Sequence, residues 1–421
     1  MSRSRTTRWR PDTVTERPYN AQTPPAALAE PLTPTAAFFV RDHFGVPRLT
    51  PERWRLHVHG LVERELSLSY DEVAALPVRE LDVMVECAGN GRSLMTPRPP
   101  GLPWEQGAVG CARFAGVPLA VLADRAGVRP EAVELVFTGA DFGELHGRRT
   151  AFERSLPVEL ARHPDTLLAT RMNGELLSPG HGAPVRLVVP GRYGVADVKW
   201  LVDVRAVAEP FHGPFQAEEY LYRGSRGMPD GTPEGPVGEI RVKSLITAPA
   251  PDTRLPAGVA CVVRGRAWSG GAQVRQVEVR IGGADWRQAV LVPAAGRYAW
   301  AEWWYQWTPR VPGRRLLQAR ATDTDGHTQP MRAPWNEQGY GCNPVAGVSV
   351  EVVAVPDGEP AGEPDGARRP GGRPTGEGPG TAANGDGNCG TADRATGNGD
   401  RGGGNGDRGG GPRAEREGPH R

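Results

Sequence analysis

The residue of this chain best placed for chemistry is a cysteine in a glycine turn behind a strand, Val85-Glu86-Cys87-Ala88-Gly89-Asn90-Gly91-Arg92. Ahead of the thiol, Leu81, Val83 and Val85 alternate with Asp82, Met84 and Glu86, the period of a strand with one face inward. Gly89 and Gly91 let the backbone come close to a ligand or adopt positive φ. Arg92 stands five residues beyond Cys87. A guanidinium beside a thiol lowers its pKa and favours the thiolate, which ligates metals or attacks electrophiles. Packing of Cys87 as a small buried hydrophobe explains the local string equally well.

Four further clusters could serve such a centre. Arg41 and His43 flank Asp42 after Phe38-Phe39; His181 and Arg186 share Gly180-His181-Gly182-Ala183-Pro184-Val185-Arg186. Asp197-Val198-Lys199-Trp200 follows Gly191-Arg192-Tyr193-Gly194, and Tyr220 lies past Phe211 and Phe215. Arg, His and Lys donors beside glycine loops are what a buried dianionic phosphate carrying a polar ring system requires. Lysine occurs only at Lys199 and Lys243, which singles out the first of these as a member of a cluster. GxxxxGK[ST] and GxGxxG are absent, so an ordinary nucleotide fold is not indicated. His57 and His59 share a strand face, but alternation alone explains them. Cys111 and Cys261 read as packing residues. Trp300, Trp303, Trp304 and Trp307 read as core and interface, and Arg192 as facing phosphate or solvent.

These clusters need a scaffold of more than one domain, and 421 residues supply it. Residues 1–35, polar and proline-rich, read as a mobile or draped arm. A mixed α+β region fills 36–238. In it Arg55–Gly60, Glu134–Thr138, Pro184–Val189 and Lys199–Val207 read as strands. Tyr70–Leu76 and Pro118–Ala126 read as helices, stopped by Pro77 and Gly127. From 239 to 355 short alternating runs recur between turns, at Ala260–Gly265, Val274–Ile281, Ala299–Trp307, Arg315–Thr322 and Gly347–Val355, the pattern of a β-sandwich. Residues 356–421, which include Cys389, are nearly free of aliphatic side chains and read as a disordered tail. A net charge of +1 with acid and base evenly mixed argues against nucleic-acid or membrane surfaces. No apolar run is long enough to span a bilayer. No secretory h-region is visible, and the five cysteines are odd in number and widely spaced, so a cytoplasmic, reducing setting is expected.

Taken in order, the clusters join further strings. These are Phe39-Val40-Arg41-Asp42-His43, the Glu86–Arg92 turn, Trp104 with Gly107-Ala108, and Ala112-Arg113-Phe114-Ala115-Gly116-Val117-Pro118-Leu119. His181-Gly182, Pro184-Val185-Arg186, Val188-Val189-Pro190-Gly191 and Val198-Lys199-Trp200-Leu201 come next, and Trp335-Asn336 with Gly339 comes last. In this order and spacing the chain resembles the sulfite oxidase family of molybdenum-cofactor enzymes over about 38–355. The resemblance implies a mixed α/β molybdopterin domain followed by an immunoglobulin-like dimerisation domain. It implies Mo-molybdopterin, with Cys87 as the protein's thiolate ligand to molybdenum. Arg41, His43, Arg92, Asp141, His181, Arg186 and Lys199 would hold the pterin and its phosphate, and Val198 would contribute through its backbone. Arg41 would orient the substrate, and Tyr220 would stand beside the reacting oxygen. Oxygen-atom transfer would then pass electrons to an external acceptor, a cytochrome or a quinone or flavin, since no haem-binding segment is visible.

Three departures from the family pattern bear on the substrate. Asp42 replaces the usual Asn, Phe114 an aromatic of the ARW-like motif, and Gln338 the arginine of the WN-x-R-G turn. With that guanidinium gone, a small oxyanion such as sulfite would be held mainly by Arg41, and its KM is expected to be high. Reduction of an S-oxide or N-oxide is the alternative on the same site. From other classes come a cofactor-free thiol enzyme pairing Cys87 with His43 or His181, and a non-catalytic dimeric scaffold.

Overall fold

The computed structural model describes residues 9–224 and 234–355. The tail at 356–421 and Cys389 lie outside the described residues. The first region contributes β1 (Asp12–Glu16), β2 (Tyr19–Gln22), β3 (Val40–Arg41), β4 (Arg55–Gly60), β5 (Leu66–Ser69), β6 (Arg79–Glu86) and β7 (Val109–Pro118). It continues with β8 (Glu134–Leu145), β9 (Arg148–Pro157), β10 (Leu167–Met172), β11 (Glu175–Leu176), β12 (Arg186–Val188) and β13 (Leu201–Val207). Strands predominate in this α+β region, and its longest helix, Leu119–Ala126, has eight residues. Gly127 ends that helix at φ 68°, a left-handed position where an L side chain is strained.

Two sheets carry the site. One runs β11-β10-β7-β6, with β12 also on β10; β6 pairs β7 from Arg79↔Gly116 to Glu86↔Val109. The other runs β5-β4-β13-β8-β9, with β13 parallel to β4. In β4, Leu56 and Val58 are buried while Arg55 and His57 face out, and His59 pairs with Asp203 at 2.9 Å. The burial along β6 does not alternate: Arg79 and Glu80 are exposed, and Leu81 and Asp82 half-buried. From Val83 to Glu86 every residue is buried, because a second layer covers the outer face: Met84 N–H donates to the Tyr298 carbonyl at 2.8 Å.

The mobile-arm reading is corrected for residues 9–35. β1, β2 and β3 form a sheet, and Asn20, Ala21, Thr23, Ala27 and Leu28 are buried. Thr23 ties this segment down, its N–H to the Gly107 carbonyl at 2.8 Å and its hydroxyl to the Val109 carbonyl at 2.9 Å. The anchors are small and polar residues, which a hydrophobicity pattern does not register.

Past β14 (Leu221–Tyr222) and β15 (Gly235–Pro236) the sandwich begins with β16 (Lys243–Ala248), β17 (Arg254–Pro256), β18 (Cys261–Trp268) and β19 (Val274–Ile281). It is completed by β20 (Arg287–Gln288), β21 (Val290–Val292), β22 (Ala301–Trp307), β23 (Gly313–Asp323) and β24 (Gly347–Val353). Its sheets run β16-β18-β22-β21 and β17-β24-β23-β19-β20 around Val263, Val277, Trp303, Leu317 and Ala319. The tryptophan run divides by strand period: Trp303 is core, Trp304 faces out, and Trp300 reaches back to the Pro31 carbonyl at 2.9 Å. Both regions fall within one compact unit. Among the described residues no helix is long and apolar enough to cross a membrane.

Candidate active site

Cys87 follows the last residue of β6, its N–H donating to the Ala108 carbonyl at 2.9 Å and its carbonyl accepting from Asn90 N–H at 2.9 Å. The thiol lines a cleft with Arg41, His43, Asp141, His181, Arg186, Asp197, Lys199 and Tyr220. Segments more than 170 residues apart in sequence thus meet, since His43 Nε2 and the Tyr220 hydroxyl are 2.6 Å apart. His43 stacks on Phe152, with ring centres 4.8 Å apart. Burial, then Arg41, Lys199 and Arg154, hold its pKa well below the usual range, so its imidazole is neutral. Tyr220 has φ 55° and stacks on Tyr340; burial raises its pKa.

The opposite wall is cationic. Arg186 donates to the His181 carbonyl at 3.2 Å and stands 3.7 Å from the Asp197 carboxylate. Asp197 also accepts from Val189 N–H at 2.8 Å, yet burial outweighs both partners and lifts its pKa to about 7. Lys199 pairs with Asp42 and donates to the Gly180 carbonyl at 3.1 Å. His181 Nε2 meets the Thr35 carbonyl at 3.2 Å, and burial, then Arg186 and Lys199, push its pKa down to about 4. A carbonyl only accepts, so Nε2 carries the proton and Nδ1 is the free acceptor. Burial lifts Asp141 to about 7.

Two expected members do not face the cleft. Arg92 lies behind the turn, donating through Nε to the Gln338 carbonyl at 3.0 Å and through Nη1 to the Leu102 carbonyl at 2.9 Å. Gly89 is explained by it: a Cβ there would stand 2.7 Å from that guanidinium, so the glycine admits arginine, not a ligand. Val198 is fully buried, and its backbone is already used, its N–H on Ala196 and its carbonyl on Leu187. The lowered thiol pKa is corrected too. Burial raises that of Cys87, and Arg41 and Arg92 offset only part of the rise.

Gln338 also departs from expectation. Its Nε2 donates to Glu219 at 3.1 Å and its Oε1 accepts from Leu221 N–H at 3.3 Å, so it braces the segment that carries Tyr220. Asp42 and Asp197 acquire roles that their motifs did not announce, as the carboxylates of Lys199 and Arg186. Phe152 and the buried Arg154 were missed, because single residues in a strand carry no motif. Arg113, bound to Asp82 at 2.7 Å, and Arg192, 3.7 Å from Glu239, are not among the residues lining the cleft.

Comparison with known proteins decides what this cleft belongs to. An oxidoreductase molybdopterin binding domain matches residues 43–215, and a Mo-co oxidoreductase dimerisation domain matches 235–352. Sulfite oxidase of Gallus gallus is 36% identical over 349 residues, covering 77% of this chain and 74% of that protein. The chain belongs to the sulfite oxidase family. Mitochondrial sulfite oxidase of Rattus norvegicus is 36% identical over 360 residues, covering 80% of this chain. The solved sulfane dehydrogenase SoxCD of Paracoccus pantotrophus is 30% identical with a TM-score of 0.69, covering 80% of this chain and 85% of that one. The chain spans 65% of the rat protein and 62% of the human one.

The residues fit the molybdopterin cofactor of this family. Buried Arg186 Nε and Asp141 Oδ1, both on residues lining the cleft, lack a partner within the protein, one donor and one acceptor. A group carrying both an anionic phosphate and ring N–H edges satisfies both kinds. Among the described residues no three His, Cys, Asp or Glu side chains are placed to hold a metal by themselves. A metal at Cys87 therefore needs ligands from outside the chain, which a dithiolene supplies.

Proposed function

We propose that the protein is a molybdenum-dependent oxidoreductase of the sulfite oxidase type that takes a small sulfur oxyanion. One observation carries this reading: Arg41, Cys87 and Tyr220 line one wall-to-wall cleft. Cys87 would hold the metal; His43, Asp141, His181, Arg186 and Lys199 would hold the pterin and its phosphate. When bound, the cofactor supplies two-electron oxygen-atom transfer and releases the electrons singly. The protein positions the substrate and stabilises charge. Arg41 clamps the oxyanion, and buried surroundings strengthen that contact. In the tautomer with Nε2 protonated, His43 donates to Tyr220 and leaves the phenol hydrogen free for a substrate oxygen. Electrons would go to an external cytochrome, quinone or flavin, and the sandwich would join two copies.

Reduction of an S-oxide or N-oxide is a second reading, favoured by Gln338. Its amide is bound to Glu219, so the position adds no positive charge and a neutral substrate loses nothing.

Metal analysis and turnover test these readings. The holoenzyme should contain about one molybdenum per chain, and Cys87→Ser should lose it or alter its Mo–S spectrum. Arg41→Gln should raise the sulfite KM roughly 10- to 100-fold, the equivalent of a charge-assisted bond of about 1.5–3 kcal/mol. Full metal occupancy with an unchanged spectrum in Cys87→Ser would refute the site. Turnover with S-oxides and none with sulfite would select the second reading.

A further inference from the structure

The N-terminal hairpin bears on the cleft through one side chain. Asn20 lies in β2 as the register partner of Arg41 in β3 and is 1% exposed. Its Oδ1 accepts from the Asp42 backbone N–H at 2.9 Å. A backbone N–H only donates, so the orientation of the amide is fixed. The same oxygen accepts from Arg41 Nη1 at 3.3 Å. On the other side Nδ2 donates to Thr15 Oγ1 at 2.9 Å and to the Pro18 carbonyl at 3.0 Å. Thr15 Oγ1 in turn donates to the Pro18 carbonyl at 2.7 Å. Both amide hydrogens and both lone pairs of the amide oxygen are thus taken inside the protein.

Arg41 Nη1 donates to the Asp42 carbonyl as well. One amino group of the guanidinium is therefore held by two acceptors. Among the described residues Nη2 and Nε take no protein partner, and the side chain lines the cleft beside Cys87 and Tyr220. The strand pair is held by its backbone register, Asn20↔Arg41 and Ala21↔Val40, and by the Asp42 N–H. The second bond, to a long side chain that among the described residues is held besides only by the Asp42 carbonyl, removes rotamer freedom from the group that meets the anion.

We infer that Asn20 is a positioning residue for substrate: its amide oxygen pins one end of Arg41 and aims the rest of the guanidinium at the anion. The inference rests on the reading of Arg41 as the anion clamp. It assigns a task to β1 and β2, which precede the matched molybdopterin-binding domain at 43–215.

A double-mutant cycle on the holoenzyme tests it, with sulfite KM and equilibrium binding of sulfate, an unreactive dianion, as readouts. Asn20→Ala should raise KM and weaken sulfate roughly five- to tenfold. In the Arg41→Gln background the same change should have no further effect. Thr15→Val, which keeps Asn20 but removes one of the two acceptors of Nδ2, should act in the same direction by about twofold, again only when Arg41 is present. It decides the matter where Asn20→Ala does not fold. Equal losses with and without Arg41 would reduce Asn20 to a structural residue and overturn the inference. So would unchanged sulfate binding in both variants while Arg41→Gln is impaired. Normal binding in Arg41→Gln itself would overturn the clamp reading, and this inference with it.

Discussion

At Cys87 burial and charge pull the thiol in opposite directions, and burial prevails. Arg92, the nearest cation in sequence, is turned away to hold the Gln338 and Leu102 carbonyls; Arg41, distant in sequence, is the cation that acts most on the thiol. That outcome disfavours a cofactor-free thiol nucleophile and suits a thiol whose charge a metal would carry. His181 offers a pH test in cofactor-free protein. Its folded pKa, about 4, lies below the ordinary 6.5, so its contribution is present above pH 6.5 and lost as pH falls toward 4. Asp141 and Asp197, lifted to about 7, act with the opposite sign: they favour the fold at low pH and lose that contribution as pH rises through 7. Comparison with His181→Gln isolates the histidine. Between pH 6.5 and 4 the wild type should lose on the order of 3 kcal/mol more than the variant. Denaturant melts at several pH values measure this, and parallel curves would show that His181 is not buried neutral.

Among the elements, the turn Pro179–His181 and the strand after it show how a glycine builds the cationic wall. Gly182 has φ 98°, and a Cβ there would stand 3.0 Å from Lys199 Cβ and 3.1 Å from Arg186 Cβ. Gly182→Ala should cost about 1–2 kcal/mol and reduce cofactor retention, because both cations must move. Gly180 has ordinary φ and open space at its Cβ, so Gly180→Ala should change stability by less than about 0.5 kcal/mol. Thermal melts with metal analysis compare the two; equal effects would mean that the close approach carries no weight. Strands were legible where alternation was clean, as in β4 and β19. β1 and β2 were not, because β1 buries no residue and β2 is buried through Asn20 and Ala21 alone. β16 escaped as well, because Lys243 opens it.

At the scale of the molecule, that lysine joins the two regions. Lys243 Nζ donates to Glu86 at 2.9 Å and to the Cys342 carbonyl at 2.9 Å; Trp268 Nε1 takes the other Glu86 oxygen at 2.9 Å. Asn90 Nδ2 adds a bond to Glu86 at 2.8 Å. Lys243 and Glu86 are each only 2% exposed, so neither charge can return to water without its partner. Lys243→Met should destabilise by about 3–5 kcal/mol, and adding Glu86→Gln should restore a good part of it, since the loss comes from an unpaired buried charge. Chemical denaturation reads the difference; a double variant no more stable than Lys243→Met would show that charge pairing is not the cause. Glu86 adjoins Cys87, so the sandwich braces the strand that presents the thiol.

By itself the sequence determined the family, the division into a mixed region and a sandwich, and the cleft residues Arg41, His43, Cys87, Asp141, His181, Arg186, Lys199 and Tyr220. Motif spacing and strand period are local properties, and local strings record them. Tertiary structure alone decided which cations face the cleft. Arg41 and Arg92 are equally basic in the sequence, but one lies across from Tyr220 and the other is spent on two carbonyls. It also decided that Gln338 braces a backbone instead of meeting an anion, and that Asn20 belongs beside Arg41. Each outcome depends on which hydrogen-bond partners the fold brings within about 3 Å, and partners as far apart in sequence as Arg92 and Gln338 leave no local pattern.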